Sequence, residues 1–150
     1  MRVYLVIIDE TQEAHSALRF AARRAADTGG AVHVLALVPR QEFSAFGGVQ
    51  ATIEEEAQDR AEVMANSAAG ELMSESGMMP QISVKVGDGK TVIAEYLAEH
   101  PEVAALVLGA AAEGNPGPLV THFSTGAGAL PCPLFIVPGG LSEEEIDRLS

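Results

Sequence analysis

Tryptophan is absent from this chain, cysteine occurs once, and Lys and Arg together number 9 against 21 Asp and Glu. A single thiol excludes an internal disulfide framework, and Cys132, set between Pro131 and Pro133 at the start of an apolar run, reads as a small packed hydrophobe. The net charge of −12 argues against direct binding of nucleic acid, which is held by clustered cations, and the one basic pair, Arg23-Arg24, falls on a helix surface. Apolar runs of membrane-spanning length are also missing. The N-terminal run, Val3 to Ile8, is too short for a signal segment and ends at Asp9-Glu10, so the expectation is a cytoplasmic protein with no membrane partner.

Catalytic signatures are equally sparse. There is no G-x-S-x-G elbow, and Asp9-Glu10, adjacent residues, would point to opposite sides of a strand. The histidines, His15, His33, His100 and His122, lack the spacing of a metal site, so no metal is assigned. Gly89-Lys90-Thr91 ends like a P-loop, but the glycine needed five residues earlier is Val84, which leaves a helix start. No residue stands out as a base.

What is present is an alternation of strands and helices. At 150 residues the chain is expected to form one domain, residues 1–150, with a short tail at 141–150. Val3 to Ile8 and Ala31 to Val38 are continuous apolar runs, as parallel sheets covered on both faces require. Between them Thr11 offers an N-cap for a helix with Ala14, Leu18, Ala21, Ala22 and Ala25 on one face, ended by Gly29-Gly30. The connection from Gln41 to Gln50 is long enough for a lid or a flexible segment, and the residues do not choose between them. A long helix over Ala51 to about Ser76 carries the stripe Ile53, Ala57, Ala61, Met64, Ala68, Leu72 and stops at Gly77.

Gln81 to Val86 alternates like an edge strand, and Asp88 caps a helix with Val92, Ile93, Tyr96 and Leu97 inward, ended by His100-Pro101. The stretch from Ala104 to Gly140 then reads as a buried strand (Ala105 to Leu108), a loop with Gly109, Gly114 and Gly117, a short helix carrying Thr121 and weakened by Gly126 and Gly128, and a last strand (Leu134 to Val137). Ser142 and Glu145 make a capping box for a tail helix. Five strands alternating with helices predict a doubly wound, five-stranded parallel α/β sheet, with ligands bound beyond the carboxyl ends of the strands where the order reverses. Asp9, Val38 and Gly109 should converge there. For the loop glycines, turn geometry and phosphate contact are both open, and for Asp9 a helix cap stands beside a ligand role.

Taken together, Ile7-Ile8-Asp9 followed by Thr11, Val86-Gly87-Asp88, Ala105 to Gly109, and Pro131 to Val137 resemble the universal stress protein family, within the Rossmann-like, adenine-nucleotide α-hydrolase-like folds. The resemblance implies the strand order 3-2-1-4-5 and an adenine-nucleotide pocket for ATP or AMP, with Mg²⁺. In it Asp9 would bond the adenine or its ribose neighbourhood and Val38 would meet the adenine through its backbone. Gly109, Gly114, Gly117, Thr121 and His122 would line the phosphate path.

The family's ATP-binding members carry a second glycine three residues after the first and a glycine immediately before the hydroxyl residue. Here those positions are Ala112 and Val120, and Ala110-Ala111-Ala112 supplies no countercharge, so the implied affinity is reduced or altered. The resemblance also implies a homodimer paired through Leu134, Phe135, Ile136 and Val137, acting in stress response. The alternative is a member that binds no nucleotide and works through protein contacts.

Overall fold

The computed structural model describes residues 1–39 and 47–150. Five strands, β1 (Val3–Ile8), β2 (Ala31–Val38), β3 (Gln81–Val86), β4 (Val103–Ala110) and β5 (Leu134–Pro138), form one parallel sheet in the order β3-β2-β1-β4-β5. This is the doubly wound, Rossmann-like arrangement that the alternation of segments predicts. Five helices connect and flank the strands: α1 (Glu13–Thr28), α2 (Gly47–Ser76), α3 (Gly89–Glu99), α4 (Pro118–Thr125) and α5 (Glu143–Leu149).

The continuous apolar runs are explained by burial on both faces. All six residues of β1 are buried, with Tyr4, Val6 and Ile8 turned to the side of α1 and α2. Val3, Leu5 and Ile7 face Ile93, Tyr96 and Leu97 of α3 and Val120 and Phe123 of α4. The small-residue face of α1, Ala14, Ala17, Leu18, Ala21, Ala22 and Ala25, lies on the sheet, and alanine lets helix and sheet approach closely. As the alternating pattern implied, β3 is an edge strand: Val84 and Val86 pack on Ala57 and Ala61 of α2, while Ile82 is exposed.

Several sequence expectations change. Thr11 does not cap α1; the N-cap is Gln12 without a side-chain bond, because Thr11 donates its N–H to Asp9 Oδ1 at 3.0 Å and its hydroxyl to the same oxygen. Helix α2 begins at Gly47, inside the stretch expected as a loop, and residues 41–46 of that stretch lie outside the described residues. Its buried stripe includes Ala65, and Ile53 and Met64 are half-buried. β4 extends to Val103 and Ala110. Gly126 does not weaken α4 but ends it, donating its N–H to His122 O at 3.1 Å, and Gly128 lies in a short 3₁₀ turn, Ala127–Ala129.

Asp88 caps α3 as expected, accepting from Thr91 N at 3.3 Å and Thr91 Oγ1 at 2.9 Å, and the Ser142–Glu145 capping box opens α5. That tail helix lies on α1, tied by Arg19 to Asp147 and buried at Ile146. Among the described residues β5 has a strand neighbour on one side only, β4, and its Ile136 is 40% exposed. Cys132 is half-buried and packs with the α3–α4 side of the core, where burial pushes its thiol pKa up and keeps it protonated.

Candidate functional site

The chain reverses direction across the sheet between β1 and β4, which are direct neighbours, and three clefts open beyond the carboxyl ends of the strands. The first, about 680 Å³, lies between the ends of β1, β2 and β3 and the start of α3; Asp9, Leu37, Pro39, Val86 and Val92 are among its walls. The second, about 250 Å³, lies over the ends of β1 and β4 and includes Asp9, Thr11, Gly109, Gly117 and Val120. The third, about 720 Å³, is a shallow surface between α3 and α4 formed by Lys90, Asn115, Thr121, His122 and Thr125. Asp9 and Pro39 are shared by the first two, Gly117 by the second and third, Lys90 by the first and third, and Pro118 by all three, so the clefts adjoin one another.

Of the residues predicted to converge, Asp9 and Gly109 meet in the second cleft, and Gly117, Thr121 and His122 line the second or third. Val38 lines none of the three. It is fully buried, and its carbonyl accepts the N–H of Gly87 at 3.1 Å, so the cleft wall beside it is formed instead by Leu37 and Pro39. Gly114 lines none of them either, and its φ of 71° places it in the left-handed region. Gly87 to Val92, which the sequence does not single out as a site, form much of the first cleft. The available signal is the Val86-Gly87-Asp88 stretch, a strand end and helix start on the side of the sheet where ligands bind.

The loop glycines have packing reasons of their own. A β-carbon on Gly109 would collide with the Glu13 carbonyl oxygen at the start of α1. Gly117, at φ 117°, is the N-cap of α4, a backbone conformation closed to other residues. Val120 needs no such freedom: it sits inside α4, buried against the α3–α4 core.

Helix α4 has few donors to offer an anion. A helix start normally leaves four N–H groups without intrahelical partners. Here Gly117 donates to Asn115 Oδ1 at 2.9 Å and Pro118 has no N–H, which leaves Leu119 and Val120. Charge in the first two clefts is also unfavourable to phosphates: Asp9, Glu10, Glu13 and Asp88 line them, with Lys90 as the one cation among the described lining residues. Glu10 is partly compensated by Arg60 at 3.0 Å. Among the described residues no group of three or more His, Cys, Asp or Glu is placed to hold a metal ion.

By size and chemistry the first cleft fits a nucleoside. Its volume lies in the range of small-molecule sites, its apolar walls Leu37, Pro39, Val86 and Val92 suit a flat base, and Asp9 and Asp88 supply acceptors for amino and hydroxyl groups. A polyphosphate is served less well.

The model of the universal stress protein family matches residues 1–138. The chain belongs to that family. Comparison with curated proteins gives no match. Among solved structures, the universal stress protein UspA from Lactobacillus plantarum is 20% identical with a TM-score of 0.72, covering 91% of this chain and 97% of that one. The universal stress protein from Archaeoglobus fulgidus in complex with dAMP is 17% identical with a TM-score of 0.61, covering 91% and 97%. An Arabidopsis thaliana member of the family with AMP bound is 14% identical with a TM-score of 0.61, covering 92% of each chain. At these identities the structures share the fold with this universal stress protein, and some members of the family bind adenosine monophosphates. No helix among its described residues is long and apolar enough to cross a membrane.

Proposed function

We propose that this universal stress protein is a cytoplasmic stress-response homodimer with an adenine-nucleotide pocket of reduced or altered affinity. The observation that carries the reading is Asp9, which stands at the end of β1 and lines both the nucleoside-sized cleft and the cleft over Gly109. Its second oxygen, Oδ2, accepts no hydrogen bond from the described residues and is the natural acceptor for a ribose hydroxyl or adenine amino group, while Oδ1 is held by Thr11. Gly109, Gly117, Thr121 and His122 border the route a phosphate would take, and the adenosine monophosphates bound by family members of the same fold support the class of ligand. ATP would need Mg²⁺ to offset the surrounding carboxylates. In this reading residues 1–150 act as one domain, closed by the tail at 141–150, and the free edge of β5 receives the same strand of a second copy.

A second reading is favoured by the shortage of donors at α4: the protein binds no nucleotide and acts through protein contacts alone. Denaturing freshly purified protein and identifying any released nucleotide, followed by calorimetric titration with AMP and with ATP plus Mg²⁺, separates the two. The expected result is measurable binding that is lost in Asp9→Ala. No release, and no heat at millimolar nucleotide, would leave the second reading standing.

A further inference from the structure

We propose that Lys90 is the residue that sets how many phosphates the pocket accepts, making it selective for a nucleoside monophosphate over the free nucleoside and over a metal-free triphosphate. The inference rests on the adenine-nucleotide reading and goes beyond it, because Lys90 lies in a segment that the glycine loop does not include. Lys90 is the second residue of α3 and borders both the nucleoside-sized cleft and the shallow cleft of Thr121 and His122. A base in the first cleft can place its 5′ substituent on the ground that Lys90 shares with the third.

Three features make its charge decisive. The side chain is exposed, and among the described residues it has neither an ion pair nor a hydrogen bond, so its ammonium group is available to a ligand. The neighbouring helix start offers less than usual, since Asn115 occupies the Gly117 N–H and Pro118 has none, leaving only the N–H groups of Leu119 and Val120 and no full charge. Asp9 and Asp88 lie on the same cleft, and one ammonium group offsets about half the charge of a single terminal phosphate there but a much smaller share of the charge of three. The lysine is a compact point charge on a flexible stem, suited to one phosphate without demanding a fixed geometry.

The test is equilibrium binding of adenosine, AMP and metal-free ATP to the full chain, to Lys90→Met and to Lys85→Met. Lys85 is exposed on the edge strand β3 and lines none of the three clefts, so its replacement controls for net charge. The wild-type protein should bind AMP about tenfold or more tightly than adenosine, a gain typical of a charge-assisted hydrogen bond, and metal-free ATP more weakly than AMP. Added salt should erode the AMP preference. In Lys90→Met the ratio of AMP to adenosine affinity should fall to about one, and Lys85→Met should keep the wild-type ratio. Adenosine binding without an AMP preference, an AMP preference that survives in Lys90→Met, or metal-free ATP bound as tightly as AMP or more tightly would overturn the role of Lys90 alone. No binding of any of the three would overturn the nucleotide reading with it.

Discussion

Gly109, in β4, lies against the backbone carbonyl of Glu13 so closely that a β-carbon at position 109 would collide with its oxygen. The contact lets the first turn of α1 settle onto the sheet beside the second cleft, and Gly139 completes it: a β-carbon there would stand 2.7 Å from the Ala110 oxygen and 2.9 Å from Glu13 Cβ. Both obstacles include backbone or its nearest atoms, which cannot swing aside. Gly109→Ala should therefore cost roughly 1–3 kcal/mol, lowering the thermal midpoint by about 2–4 °C for each kcal/mol in a chain of this size. Gly128→Ala, with open space where its β-carbon would stand, should stay within about 0.5 kcal/mol of the parent. Equal stability of the two variants in thermal melts would refute the packing account of Gly109.

His33 gives the fold a pH dependence. It is the buried polar residue of β2, 6% exposed, with Nδ1 3.0 Å from the Tyr96 hydroxyl; the Tyr96 ring stacks on His100 at 3.9 Å. Burial pushes the His33 pKa below its ordinary 6.5, with Glu102 opposing the shift and His100 adding to it. The unfolded chain takes up a proton near pH 6.5 that the folded chain refuses, so this contribution to stability is complete above that pH and is lost as pH falls through the folded-state pKa. Thermal midpoints should fall from pH 7 toward pH 5, and His33→Leu should flatten that fall whatever its effect at pH 7. An unchanged slope in the variant would count against the assignment.

Arg19 holds the tail. Its Nε and Nη2 reach the two carboxylate oxygens of Asp147 at 2.8 Å each, and its Nη1 reaches Glu75 at 2.7 Å, joining α1, α5 and α2. The hydrogen bonds from Arg19 hold the Asp147 carboxyl below the usual carboxylate range, so the tie is present above about pH 4 and is lost as pH falls through the Asp147 pKa. Arg19→Met should speed amide exchange of residues 143–149 several-fold while leaving the exchange of β1 and β4 unchanged. Uniform acceleration across the chain would show that Arg19 acts on the whole core.

Ile136 tests the dimer. It is 40% exposed on β5, beside buried Val137, at an edge with no strand partner within the described chain. An apolar edge strand of this kind is normally covered or paired. Sedimentation at micromolar concentration should give a dimer for the wild type and a monomer for Ile136→Arg, with matching circular dichroism. A wild-type monomer would remove the edge-pairing proposal.

The order of elements is legible in the residues because each strand and helix carries its own period. Val3 to Ile8 is apolar throughout because both faces are covered, and Ala14 to Ala25 repeats at helical spacing because one face is. Element ends are less legible. Thr11 looks like a cap, yet its hydroxyl and N–H go to Asp9, two equally local options between which the short sequence pattern does not discriminate. The same limit applies to Gly126 and Gly128, which are compatible with a weakened helix or with its end.

The sequence alone determined the parallel sheet, its order by resemblance, the edge position of β3 and the presence of Asp9 at the reversal point, because burial pattern and chain alternation are properties of neighbouring residues. Tertiary structure decided the rest of the site. It left Val38 and Gly114 off the lining of the three clefts, gave Gly109 a packing duty against Glu13, brought Gly87 to Lys90 across from Pro118, and set Lys90 beside Thr121. Those relationships join segments far apart in the chain, and they exist only once the sheet has set the ends of its strands side by side.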